Sequence, residues 1–190
     1  MRAMRDSDED YSLMVPWLQD QRLLEWVFGR DEVYDLDRVR REWDVPAMVA
    51  EAVWPHFITL DDRPVGYLQL VQVVQHNDGY QAEGEVSHAW AFDLWIGEPA
   101  LWGDGIGTAA CVFAVDAVLA LGAERVFIDP RVVNERAVHL YEKLGFRTVK
   151  LLPANELHEG VGWDCWLMEL DLAAYTAFRD GHQNTGSSGS

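Results

Sequence analysis

Trp102-Gly103-Asp104-Gly105-Ile106-Gly107-Thr108 is the stretch on which the fold turns. It follows a strand-like run and opens an apolar segment, Gly105 to Leu121, that reads as a helix with Gly122 at its C′ position. Glycine has no Cβ, so Gly103, Gly105 and Gly107 let the backbone turn sharply and lie close to a ligand. The first N–H groups of a helix have no partner inside it. Together with the helix dipole they form an anion site. The Lys-Ser/Thr ending of a triphosphate-binding loop is missing, and G-x-G-x-G after several strands is not the dinucleotide-binding spacing. Taken alone, the loop is also compatible with a tight strand–helix turn.

A second segment gives it meaning. Downstream stands Asp129-Pro130-Arg131-Val132-Val133-Asn134-Glu135-Arg136-Ala137-Val138-His139-Leu140-Tyr141-Glu142-Lys143-Leu144-Gly145-Phe146. Asn134, Ala137 and Tyr141 fall at i, i+3 and i+7, on one helical face. A small residue between two polar ones lets a ligand lie along that face. Asn134 can cap the helix or bond a ligand amide, and Tyr141 can donate a proton.

Working outward, Asp8 to Leu18 and Gln21 to Val27 read as short helices, and Asp35-Leu36-Asp37 opens another running toward Trp43. His56 to Leu60 and Val65 to Val74 read as strands of a hairpin, joined by the turn residues Asp61-Asp62-Arg63-Pro64. Asn77 to Glu85 is a polar loop, and Val86 to Ile96 is a long strand expected to be interrupted or bulged. After the glycine loop and its helix come a strand at Glu124 to Ile128, a helix at Asn134 to Leu144, and strands at Phe146 to Leu152 and Cys165 to Leu170. The pattern implies an α/β (α+β) fold with a mixed, mostly antiparallel sheet flanked by helices. One domain is expected over residues 1–180, with 181–190 as a disordered tail.

Composition narrows the function. The formal net charge of −17 repels nucleic acid and anionic lipid, so neither is an expected partner. It would attract a cationic small molecule. No apolar run approaches the ~20 residues of a membrane span, and no signal-peptide pattern opens the chain, so the expectation is a soluble cytoplasmic protein. Cys111 and Cys165 lie in apolar surroundings without metal-ligand spacing; buried thiols and no metal are expected.

The two segments together resemble the GNAT acetyltransferases. The resemblance implies the GNAT acyl-CoA N-acyltransferase fold with acetyl-CoA (coenzyme A) as cofactor. It places the cofactor against Trp95, Ile96, Trp102, Gly103, Asp104, Gly105, Ile106, Gly107 and Thr108 on one side, and against Asn134, Ala137 and Tyr141 on the other. Trp102 stands where the family usually has Arg or Gln, which removes a side-chain contact but leaves the backbone N–H groups. Phe92-Asp93-Leu94-Trp95-Ile96-Gly97-Glu98-Pro99 is similar to the aminoglycoside 6′-N-acetyltransferases, including the acetyltransferase half of the bifunctional acetyltransferase–phosphotransferase resistance enzyme. So are Leu152-Pro153-Ala154-Asn155-Glu156-Leu157-His158-Glu159-Gly160 and Asp164-Cys165-Trp166-Leu167-Met168-Glu169. The first family strand is expected to be cut short.

What this resemblance implies is direct acetyl transfer to an amine in a ternary complex. Asp93 matches the family aspartate that orients the cationic amine and takes its proton, directly or through water. Tyr141 would protonate the departing thiolate, and backbone N–H near Trp95 and Ile96 would face the oxyanion. A cationic sugar antibiotic wants carboxylates, so Asp93, Asp129, Glu156, Glu159, Asp164 and Glu83 or Glu85 are candidate substrate contacts. Trp26, Trp90 and Trp163 are candidates for packing on a sugar ring; His158 reads as structural. Polyamine, siderophore-pathway and peptide N-terminal acetyltransferases share the cofactor segments, and a non-catalytic acyl-CoA- or drug-binding module is the remaining class. Monomer and homodimer are both open.

Overall fold

The computed structural model describes residues 1–73 and 88–185. Its centre is a seven-stranded sheet of order β1-β2-β3-β4-β5-β7-β6. The strands are β1 (Arg2–Ala3), β2 (Val53–Leu60), β3 (Arg63–Gln72), β4 (Ala89–Ile96), β5 (Arg125–Ile128), β6 (Phe146–His158) and β7 (Val161–Leu170). Only β4 and β5 run parallel; every other neighbour is antiparallel. β1 is two residues long, and it pairs through Arg2 and Ala3 with β2.

Helices cover both faces. On one side lie α1 (Asp8–Met14), α2 (Gln21–Val27), α3 (Leu36–Glu42) and α4 (Val45–Ala50). Their starts are written in polar caps: Ser7, Asp20, Asp35 and Asp44 each accept a hydrogen bond from an N–H of the first turn. The core on this face joins Leu18, Leu23, Leu24, Trp43, Phe57, Tyr67 and Trp95. On the other side α5 (Ile106–Ala120), α6 (Glu135–Lys143) and α7 (Leu172–Thr185) pack on Phe92, Ile96, Val126 and Met168. Strand periodicity makes this division: Phe92 and Ile96 point to the α5 face while Asp93 and Trp95 point to the α2 face.

Several elements depart from the sequence reading. The Asp61–Asp62 turn has both residues at positive φ (49° and 63°), as a two-residue hairpin requires, so β3 begins at Arg63. The register of β4 against β3 is continuous from Trp90 to Ile96, so the bulge expected there is not found among the described residues; the irregularity falls in β2, at Ile58/Thr59. The strands expected at Phe146 to Leu152 and Cys165 to Leu170 extend toward each other into a long β6–β7 hairpin turning at Glu159–Gly160, also at positive φ (53° and 73°). Pro153 is tolerated because the register shifts between Leu152 and Glu156, and the Ala154 N–H there bonds to Asp164 Oδ1 at 2.9 Å. α4 and α7 were not foreseen, and α7 runs into the stretch read as a tail. Tyr175 ties α7 to α5 through Asp116 Oδ1 at 2.8 Å. The loop expected at Asn77 to Glu85 lies outside the described residues.

Candidate active site

β4 and β5 pair over only three residues, from Ala89↔Arg125 to Ala91↔Phe127. Beyond them β4 continues to Ile96, while the chain leaves β5 at Ile128 and turns into α6. The sheet therefore splits at the C-terminal ends of two parallel strands, a place where open α/β sheets form ligand crevices. A cavity of about 1030 Å³ fills the split, with Phe92 to Ile96 on one wall and Asp129, Arg131, Asn134 and Ala137 on the other.

At the open edge of β4 the ladder decides which backbone groups are free. Antiparallel pairing turns alternate residues toward the partner strand. Gly97 N–H bonds to Val65 O at 2.8 Å, which puts Trp95 in the set facing β3 and turns the groups of Leu94 and Ile96 toward the split. The Ile96 carbonyl indeed leaves the ladder and accepts the Trp102 indole N–H at 2.9 Å. Of the two residues expected to face an oxyanion, Ile96 thus has the N–H directed into the split, and Trp95 stacks its ring on Tyr67 (5.3 Å).

The glycine loop has the conformation its sequence demands. Gly103 and Gly105 hold φ of +100° and +83°, and a Cβ at either would meet nothing within 4 Å, so the loop's outer surface is open to a ligand. Gly105 is the N-cap of α5 without any side-chain capping bond, so the first-turn N–H groups are not taken by a side chain. Trp102 and Gly107 line the cavity, whereas Gly103, Asp104, Gly105, Ile106 and Thr108 lie off its lining. The Arg136 guanidinium lies 5.7 Å from the Trp102 ring centroid and brings a positive charge to this end. Asn134 lines the cavity and caps α6, its Oδ1 accepting from Ala137 N–H at 3.2 Å; Ala137 lies beside it on the lining.

Asp93 and Tyr141 enter the cavity from opposite faces of β4. Tyr141 packs edge-on against Phe92 and Phe146 (6.4 and 5.8 Å), and burial holds its phenol well above the usual tyrosine range. Asp93 accepts from Gln69 Nε2 at 2.7 Å, and Gln69 in turn accepts from Tyr67 OH at 2.9 Å. Asp93 is accessible, but what it faces is the cavity rather than bulk water. Enclosure there, then the charge of Asp129, push its carboxyl up to about 6 against the pull of the Gln69 hydrogen bond.

The other expected contacts divide. Asp129, Glu156, His158 and Trp26 line the cavity. Asp129 accepts from Asn155 Nδ2 at 3.1 Å, and Glu156 Oε2 lies 3.0 Å from His158 Nε2. Burial, then Asp129, raise Glu156 to about 7 although Arg131 pulls it down. Glu159, by contrast, lies off the lining and is held by Arg30 through Nε at 2.8 Å and Nη2 at 3.1 Å. Asp164 holds the Ala154 bulge and does not reach the cavity either. Trp90 is buried against Trp54 in the core, and Trp163 lies behind Arg131. Glu83 and Glu85 lie outside the described residues.

Sequence reasoning missed Gln69, Arg131, Glu42, Phe28, Trp43 and Met48, all of which line the cavity. Gln69 had a signal, being the one amide side chain in Val65 to Val71; its register places it directly opposite Asp93. Phe28, Trp43 and Met48 come from the N-terminal helices, and nothing in their own segments ties them to β4. Both cysteines are buried free thiols. Among the described residues no group of His, Cys, Asp and Glu is arranged to hold a metal, and no helix is long and apolar enough to cross a membrane.

A split sheet, an uncapped helix N-terminus beside it, and an aspartate and a tyrosine lining one cavity make up the candidate site. Residues 6–153 match the acetyltransferase (GNAT) domain family, and the chain belongs to it; acetyl-CoA is the cosubstrate of its transfer. The chain is 27% identical over 142 residues to aminoglycoside N(6′)-acetyltransferase type 1 of Klebsiella pneumoniae, covering 74% of this chain and 70% of that protein. The protein of the same name from Serratia marcescens matches equally. The crystal structure of aminoglycoside acetyltransferase AAC(6′)-Ib with coenzyme A superposes with a TM-score of 0.78 at 22% identity, over 94% of this chain and 97% of the other. The same enzyme with coenzyme A and kanamycin superposes with a TM-score of 0.77 at 22% identity, over 94% and 97%.

Proposed function

We propose that this protein transfers the acetyl group of acetyl-CoA to the 6′-amine of an aminoglycoside, by direct attack within a ternary complex. The observation that carries the reading is the shared cavity: Asp93 and Tyr141 enter it from opposite faces of β4, and Asp129 and Glu156 add carboxylates at the Asp93 end. Cofactor pyrophosphate would lie at the N-terminus of α5, and pantetheine would run between β4 and the Asn134–Ala137–Tyr141 face of α6.

Asp93 holds the acceptor ammonium and takes its proton, directly or through one water; with its carboxyl raised to about 6, it is ionised and a better base than an ordinary aspartate at neutral pH. The amine nitrogen forms its bond to the thioester carbonyl carbon, and the N–H of Ile96 is placed to meet the developing oxyanion. When the carbon–sulfur bond breaks, Tyr141 gives its proton to the thiolate. Cys111 and Cys165 take no part: burial raises both thiols, to about 12 for Cys165 and higher still for Cys111. In a cell exposed to such drugs the reaction would confer resistance.

The similarity to the N(6′)-acetyltransferases supports the choice of acceptor. The test is thiol release from acetyl-CoA with a kanamycin-type drug carrying a 6′-amine and a matched drug carrying a 6′-hydroxyl. Release with the amine alone is the expected result. Release with both would discard the 6′ position, and release only with polyamines or peptide N-termini would replace the acceptor class.

A further inference from the structure

Arg131 places a cation among the carboxylates of the acceptor end. It is 5% exposed and it lines the cavity with Asp93, Asp129 and Glu156. Three elements hold it. Its Nη2 donates to the Glu25 carbonyl of α2 at 2.9 Å, and its Nε lies 3.5 Å from Glu156 Oε2 on β6. Its guanidinium carbon lies 5.7 Å from the ring centroids of both Trp26 on α2 and Trp163 on β7. Such a side chain cannot swing aside for an incoming ligand.

Its placement has consequences for any acceptor. Glu156 already shares an oxygen with His158 Nε2, and Arg131 faces the same oxygen. One of the carboxylates that would hold an ammonium is therefore matched within the protein. Two of the tryptophans expected to pack on a sugar ring, Trp26 and Trp163, face a guanidinium instead. An ammonium approaching Glu156 meets a fixed positive charge at close range, and like charges repel there.

We propose that Arg131 is a specificity-determining residue that closes the Glu156 side of the cavity to ammonium groups, leaving Asp93 and Asp129 to hold the reacting ammonium and disfavouring acceptors that place further ammonium groups toward Glu156. The proposal rests on the reading of the Asp93 end as the site of a cationic amine. Within that class Arg131 disfavours amines that set a second ammonium beside Glu156 over those that do not.

The experiment compares wild type, Arg131→Met and Arg131→Lys on acceptors with one, two and four amino groups, reading kcat and KM separately, with calorimetric binding of spermine and butylamine in the presence of coenzyme A. Methionine keeps an apolar stem between the two tryptophans and removes the charge; lysine keeps the charge. In Arg131→Met the preference for the tetra-amine over the mono-amine rises about tenfold, mainly through KM, while Arg131→Lys keeps the wild-type preference. A preference within about twofold across all three proteins, whatever their melting temperatures, would overturn the proposal and leave Arg131 as a structural clip. Should Arg131→Met not fold, Glu156→Gln reads the same balance in reverse, leaving the guanidinium unmatched and shifting preference toward the mono-amine; no shift there is equally fatal. Failure of every aminoglycoside as wild-type substrate would remove the proposed function, yet the polyamine ladder and the calorimetry would still report on Arg131.

Discussion

Replacing Asp93 with Asn should make the protein more stable and nearly inactive at once. The carboxyl is raised from 3.8 to about 6, first by enclosure and then by Asp129. Each pH unit between folded and unfolded values is worth about 1.4 kcal/mol, so holding an ionised Asp93 costs the fold at most about 3 kcal/mol. Water in the cavity screens that charge, and a net cost of about 1 kcal/mol is the working figure. The sign follows from proton binding. Between pH 4 and 6 the folded state retains a proton that the unfolded chain has lost, so this group's contribution to stability falls as pH rises through that window and stays low above it. Asparagine has no such ionisation and can still accept from Gln69. At pH 7.5 its melting temperature should be about 3 °C higher than wild type, and the gap should shrink by about half at pH 5. Turnover should fall at least about 100-fold, with the acid limb near pH 6 lost from the rate profile. Differential scanning fluorimetry at the two pH values and a thiol-release assay measure both effects. A variant that is less stable at pH 7.5, or that turns over at wild-type rate, would refute the reasoning.

Tyr141→Phe keeps the packing on Phe92 and Phe146 and removes only the proton donor, so kcat should fall roughly 10- to 100-fold while calorimetric affinity for acetyl-CoA holds; a kcat within twofold of wild type would leave Tyr141 as a packing residue. Gly105→Asp sets a negative charge on the α5 N-terminus and should weaken acetyl-CoA binding at least about 100-fold in the same calorimeter, because the +83° backbone and uncapped N–H groups are where a pyrophosphate would lie. Asp10→Asn tests the other end of the molecule. Asp10 is fully buried and accepts from Arg2 at 2.6 and 2.8 Å and from Arg5 at 2.7 Å, which together hold its carboxyl below the usual range. Because both arginine partners are partly exposed, losing the charge should cost only about 1–2 kcal/mol, seen as a lower melting temperature above pH 4; the difference should narrow as the pH falls below 4, where the unfolded chain takes up a proton that the folded carboxyl resists.

The glycine loop and the α6 face were legible as structure because their geometry is local. Gly103 to Gly107 turn within one loop into the N-terminus of α5, and Asn134, Ala137 and Tyr141 share one face of the segment that caps and forms α6. The acceptor end was legible only in part. Glu159 and Asp164 have the composition of substrate contacts, and only the hairpin geometry shows that one answers Arg30 and the other secures a bulge. α7 went unread because little in Leu172 to Thr185 marks a helix until Tyr175 is seen against Asp116.

By itself the sequence determined what depends on spacing along the chain: strand and helix periods, the glycine loop, the face shared by Asn134, Ala137 and Tyr141, and the position of Asp93 on the strand before the loop. The tertiary structure alone decided what depends on distances between remote segments. The early parting of β4 from β5 makes the cavity, and the packing of α2 against the β6–β7 hairpin puts Arg131 between Trp26 and Trp163. Charge interactions act through space rather than along the chain. The same carboxylate is therefore an ordinary acid in sequence and a candidate base only where Gln69, Asp129 and the cavity wall enclose it.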